Sequence, residues 1–199
     1  MKAYVMMDMG GWHDFYLEKL GGFPLDENYW DLLMIPGLHE HMIVDVFKKE
    51  LGVKVYSYHE GEALTRSIKE NRRDPNKDSS YIERYHRSIE ASEIVKNQSV
   101  NDRKKKGIKD ITLKARLLMG LGYYLETKTH LDPDHFTVCG GSLSVVGDVP
   151  RVGWSAGSSA LCIGGWWSPG DRSSDFRTRP AVSELLLARA SAPEEALVV

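Results

Sequence analysis

The chain has 199 residues, 42% hydrophobic and 27% charged, with a formal net charge of −2. That length allows one large domain or two small ones around a sizeable core, and the near balance of charge excludes an overall field suited to nucleic acid or a membrane surface. No apolar run reaches the ~18 residues of a membrane helix, and the start MKAYVMMDMGGWHD lacks the apolar core and cleavage site of a secretory leader.

In chain order, the stretch 39–52 (HEHMIVDVFKKELG) has apolar residues at 42, 43, 46, 47 and 51 and a glycine stop, so an amphipathic helix is expected. VKVYSY (53–58) has the β-branched and aromatic content of a strand. GEALTRSIKENRR (61–73) reads as helix up to the turn DPNKD, SYIERYHRSIEASEIV (80–95) as another helix, and NDRKKKGIKD (101–110) as a polar connecting loop. The clearest helix is ITLKARLLMGLGYYLETKTHLD (111–132): Leu113, Leu117, Leu121, Tyr124 and Leu125 share a face, and Asp110 or Thr112 can cap it. Gly120 and Gly122 lower its intrinsic stability, which implies close packing along that face.

Beyond it the composition changes. All lysines lie at or before Lys128, and from 136 to 183 there is no Lys, Glu, Gln, Met or Asn. Short β-compatible pieces (FTVCGG, SVVGDVPRVGW, ALCIGGWW, FRTRPAVS) alternate here with turn-forming Gly, Ser, Pro and Asp. The expected fold class is therefore α+β: an N-terminal α/β region at 1–109, a loop-rich β unit at 110–183, and a short helix with a frayed tail at 184–199.

Several motifs carry candidate chemistry. GWSAG around Ser155 spells the G-x-S-x-G of a nucleophile elbow, which needs a strand-to-helix turn and a histidine later in the chain. All seven histidines precede Ser155, and more Gly and Ser follow it instead of an amphipathic helix, so a hydrolase is the lesser alternative. His39 and His41 would point to different faces of a helix, and with Glu40 they read as a solvated helix start, with no metal expected. Arg103 to Lys106 make a small basic patch, read as a solvated loop, with no nucleic acid expected. Cys139 and Cys162 make no disulfide framework. A reduced, cytoplasmic setting is the default, with surface or virion display left open.

The run YYLETKTHLD…TVCGGS…GDVPRVGW…WWSPGDRSSDFRTRPAVS resembles the variable proteins of diversity-generating retroelements, whose variable domain is a formylglycine-generating-enzyme-type C-type lectin fold. The likeness spans about 110–183. In that family reverse transcription randomises adenines, mainly in asparagine codons, and the products exclude Lys, Glu, Gln, Met and Trp, the first four of which are absent from 136–183. The resemblance implies a lectin-type scaffold formed by Cys139, Gly140, Gly141, Ser142, Trp154, Trp166, Pro169, Gly170, Arg177 and Arg179. It implies changeable ligand-binding positions at Ser144, Gly153, Ser155, Ser158, Ile163, Trp167, Ser168, Asp171, Ser173, Ser174 and Asp175, and Arg151 joins them. Trp167, Phe176, Arg151 and Arg172 are residue types that dominate interface energies. The two cysteines do not sit where the formylglycine enzymes carry theirs, so no oxidase activity is implied. The expected partner is a protein or cell-surface ligand, with no cofactor and no membrane span. The competing reading is a Gly-rich β domain whose tryptophans fill its core.

Overall fold

A computed structural model of the chain describes residues 26–186. Strand β1 (Tyr29–Met34) buries Leu32 and Met34. Helix α1 (Glu40–Asp45) runs straight into a π-helical turn (Val46–Glu50), and Ile43, Val44, Val46 and Phe47 go into the core as their spacing requires. Gly52, at φ +65°, ends the turn, and β2 (Val55–Ser57) follows where a strand is expected.

The next segments correct the sequence reading. Helix α2 (Glu62–Arg66) stops after five residues. The Ser67 hydroxyl donates to the Leu64 carbonyl at 2.6 Å, and the chain leaves as β3 (Ile68–Asn71). After the single turn of α3 (Pro75–Asp78), capped by Asp74, the segment expected as helix over 80–95 is β4 (Tyr81–His86). Residues 81–85 are all buried, because this strand is covered on both faces. The expected loop at 101–110 instead begins with α4 (Val100–Lys105), started by a capping box in which Ser99 and Asp102 bond each other's backbone N–H.

Helix α5 (Leu113–Thr127) forms as expected, with the Thr112 hydroxyl accepting from the Ala115 N–H. Its Leu113, Leu117 and Leu121 face belongs to the main core. A Cβ on Gly120 would lie 2.7 Å from Arg116 Nη1, which accounts for the glycine. The remaining strands are β5 (Phe136–Val138), β6 (Ser142–Ser144), β7 (Val149–Ser155), β8 (Ala160–Trp167), β9 (Phe176–Arg177) and β10 (Ala181–Leu186). The helix expected from 184 is corrected in part: Glu184, Leu185 and Leu186 are paired in β10, and the rest of that segment lies outside the described residues.

The chain is thus mixed α+β. Its sheets run β1-β4-β10, β2-β8-β7-β5-β9 and β3-β6. Each sheet takes strands from both sides of residue 110, and one core cluster unites Leu32, Phe47, Tyr85, Leu117, Val152 and Ile163. The composition boundary is therefore not an edge of the sheets. No helix among the described residues is long and apolar enough to cross a membrane.

Candidate functional site

The framework residues come first, because they hold the strands that carry the face. A Cβ on Gly140 would stand 2.1 Å from Asp110 Oδ2, and one on Gly141 2.5 Å from the Asp110 carbonyl oxygen. Only glycines let this turn approach Asp110 so closely. Ser142 accepts from the Leu113 N–H at 2.9 Å and donates to Asn71 Oδ1. Asp110 in turn receives the buried Arg103 guanidinium at 2.7 Å, so Arg103 is not the solvated residue the sequence suggests. Burial raises the Asp110 carboxyl's pKa, against the pull of Arg103.

A second buried hub is Asp132, which receives Arg116 at 2.8 Å, Arg179 at 2.6 Å and the Thr137 hydroxyl. Burial alone would raise its pKa, but the two guanidiniums reverse that and hold the carboxyl below its ordinary range. Arg179 also donates to the Ser88 and Ile89 carbonyls, and buried Arg177 pairs with Glu93. Burial pushes the Cys139 thiol well up, so it stays protonated and unreactive. Of the remaining scaffold expectations, Trp154 packs on the core and Pro169 is half-buried. Gly170 is exposed, and a Cβ there would meet nothing nearer than 3.8 Å, so packing does not require glycine at that position. The side chain of Trp166 lies outside the described residues.

The candidate site is the outer face of the five-stranded sheet. On β7 and β8, Val152, Leu161 and Ile163 point into the core, so alternation turns Arg151, Gly153, Cys162 and Gly164 outward. Tyr56 on β2 pairs with Cys162, and Cys162 with Gly153, which puts the three on one face. Glycines floor the two central strands, and rings from the flanking segments lie across them. The Phe136 ring comes within 2.8 Å of where a Cβ on Gly153 would stand, and the Tyr58 ring within 2.5 Å of one on Gly164. The Arg151 guanidinium sits 4.4 Å from the Phe136 ring centroid and 5.4 Å from that of Trp167. Trp167 meets Phe176 edge-on at 4.7 Å. Gly165, at φ +64°, leaves room for Arg151 Nε where a Cβ would be. Tyr56 and Tyr58 are 48% and 76% exposed. The arrangement offers flat apolar faces beside two cations, Arg151 held between rings and Lys54, whose Nζ stands 4.7 Å over the Tyr56 ring.

The structure gathers Arg151, Gly153 and Trp167 on this face and sets the loop 168–175, with Ser168, Asp171, Ser173, Ser174 and Asp175, next to Trp167. That loop is tied to α4: the Asn101 N–H donates to the Pro169 carbonyl at 3.0 Å, and Arg172 pairs with Asp102 at 2.8 Å. Hydrogen bonds from Ser99 and Arg172 bring the Asp102 carboxyl down to about 2. Ser155 and Ser158 lie at the opposite end of the β7–β8 hairpin, roughly 20 Å away at strand rise.

Three expected ligand-binding positions are corrected by burial. Ser144 is buried and accepts from the Val146 and Asp148 N–H groups, forming the turn before β7. Ile163 is a core residue. Gly153 is buried under the Phe136 ring. Tyr56, Tyr58, Phe136, Gly164 and Gly165 are not among the positions expected from the sequence, although the alternation of VKVYSY already places both tyrosines on one side.

Ser155 ends a strand that turns back as an antiparallel hairpin, not one that enters a helix, so the elbow's backbone is lacking. The solvated helix start also needs correction. Glu40 is buried, and His39, just before α1 in extended conformation, stacks on His41 at 5.8 Å while His41 Nδ1 bonds Thr65 Oγ1 at 3.0 Å. Among the described residues no three His, Cys, Asp or Glu side chains group to hold a metal. No family model, curated protein or solved structure matches the chain.

Proposed function

We propose that this chain acts by binding, as the target protein of a diversity-generating retroelement that displays its recognition surface on a C-type-lectin-like scaffold. The surface is the outer face of the five-stranded sheet together with the loop 168–175. The observation that carries this reading is Arg151 held between Phe136 and Trp167 above a glycine floor, with Tyr56 and Tyr58 open to solvent beside it. Aromatic and arginine side chains held on a rigid sheet bind at low entropic cost. The buried CGGS turn and the buried Arg177 and Arg179 agree with the scaffold roles that the resemblance implies. The hairpin setting of Ser155 and the buried, protonated Cys139 favour binding over catalysis.

The test is a panel of proteins, glycans and small molecules probed with the purified chain and with a Tyr58→Ala/Trp167→Ala variant. A ligand held by the parent and lost by the variant supports the reading. Equal binding by both, or no ligand for either, overturns it. The retroelement is tested separately in the flanking DNA, where a near-copy of the segment encoding 140–183, differing at adenines, should lie beside a reverse-transcriptase gene.

A further inference from the structure

We propose that the outer face takes a carboxylate carried beside a flat ring, and that Arg151 anchors it. This rests on the binding reading above and adds the chemistry of the ligand. Arg84, Arg103, Arg116, Arg172, Arg177 and Arg179 each end on an Asp or Glu. Arg151 ends on two aromatic faces and reaches no acid among the described residues. Its Nε is buried with no hydrogen-bond acceptor. Packed against Gly165, that Nε is out of reach, but the Nη groups are not buried, and a partly desolvated guanidinium without a counter-charge gains from an anion that meets them.

The nearby acids are engaged elsewhere. Asp171 accepts from the Ser168 N–H at 3.1 Å, and Asp102 holds Arg172. The rings of Phe136 and Trp167 restrict the guanidinium plane, so its fork is oriented before a ligand arrives, the condition for bidentate pairing with a carboxylate. Arg151 is the cation held among the rings, and one guanidinium balances one carboxylate charge, while Lys54 stands over Tyr56 at the edge strand. Gly153, Gly164 and Gly165 let Phe136, Tyr58 and Arg151 lie close on the sheet, and the exposed rings of Tyr56 and Tyr58 offer surfaces on which a ligand ring can stack.

The experiment titrates the full chain with phenylacetate, phenylacetamide and phenyl phosphate, following the indole N–H signal of Trp167 by two-dimensional NMR, assigned with Trp167→Phe. Phenylacetate should shift that signal saturably in the millimolar range usual for so small a ligand. Phenylacetamide should bind about ten-fold more weakly, the loss of one charge-assisted pair. Arg151→Gln, checked for folding by its melting curve, should bind the acid no better than the amide, and Arg151→Lys should recover part of the difference. Tyr58→Ala should weaken acid and amide alike. Equal binding of acid and amide overturns the carboxylate. If Tyr58→Ala still abolishes both, the face itself stands. Tighter binding of phenyl phosphate replaces the class with phosphate. No shift with any probe overturns the proposal, while the panel above decides the face independently.

Discussion

The imidazole of His130 lies flat on the indole of Trp154, with ring centroids 3.6 Å apart and planes 7° from parallel. Tyr124 stacks on the same imidazole at 4.7 Å, and the Trp154 backbone N–H donates to the Asp132 carbonyl at 3.0 Å. The end of α5, the segment after it and β7 are joined through this stack. Trp154→Ala should cost about 3 kcal/mol, the low end for removing a large aromatic side chain, because the indole is only partly buried. Urea denaturation of the two proteins measures it, and a loss under ~1 kcal/mol would remove Trp154 from the scaffold.

The same stack makes stability depend on pH. Burial, and then repulsion from the Arg116 guanidinium, bring the His130 pKa from 6.5 down to about 4. The unfolded chain therefore takes up a proton on this ring at higher pH than the native one. The contribution of neutral His130 is fully present above pH ~6.5 and is lost progressively as pH falls toward ~4. Between pH 7 and pH 5 the parent should lose more stability than His130→Gln, measured by urea midpoints at both pH values. Equal losses would mean that His130 is free to protonate in the folded state.

Why some elements were legible and others not follows from how they are covered. The apolar spacing of α1 and α5 is written directly in the sequence, and β2 as alternation, although α5 is covered on every side over 113–121, with Lys114 and Arg116 buried as well. β4 has neighbours on both edges and a buried Glu83 and Arg84, satisfied by Arg72, Tyr85 and Asp31. Charges that are buried and paired look, in a sequence, like the solvated side of a helix. α4 is polar, and its capping signal begins at Ser99, before the segment read as a loop. At the candidate site Arg151 and Trp167 were legible as residue types. Tyr58 was not, because its partner Gly164 is brought to it only by the parallel pairing of β2 with β8. Ile163 falls between framework residues of the family motif, and that spacing does not say which side of β8 faces the core.

Asp132 is held by two guanidiniums, and removing one partner should be expensive. Arg179→Ala leaves the carboxylate with Arg116 and the Thr137 hydroxyl and strips hydrogen bonds from the Ser88 and Ile89 carbonyls. A loss of about 3–5 kcal/mol is expected, as for breaking a buried pair. Asp132→Asn should cost a similar amount, since it leaves both Arg116 and Arg179 without a counter-charge. Calorimetric melting of both variants checks this, and near-parent stability in either would show that water enters the hub.

The residues expected to be changeable should separate into two groups. Ser158, Ser174 and Asp175 lie on turns or loops, and small polar substitutions there should move stability by about 0.5 kcal/mol or less. Ile163 is in the core, so Ile163→Ala should cost about 2–5 kcal/mol. Gly153→Ala and Gly164→Ala would drive a methyl into the Phe136 and Tyr58 rings respectively, and overpacking of this kind costs about 1–3 kcal/mol. The two glycine variants should lose stability for different reasons. At Gly164 the backbone lies at φ +154°, which an alanine rarely adopts, so strain remains even if the exposed Tyr58 ring swings away, whereas at Gly153 the half-buried Phe136 ring, which also holds Arg151, must give way. Both glycine variants should therefore melt below the loop variants, and thermal denaturation of all six variants decides it. If Gly153→Ala melts with the loop variants, the Phe136 ring does not rest on β7, and the fixed position assigned to Arg151 goes with it.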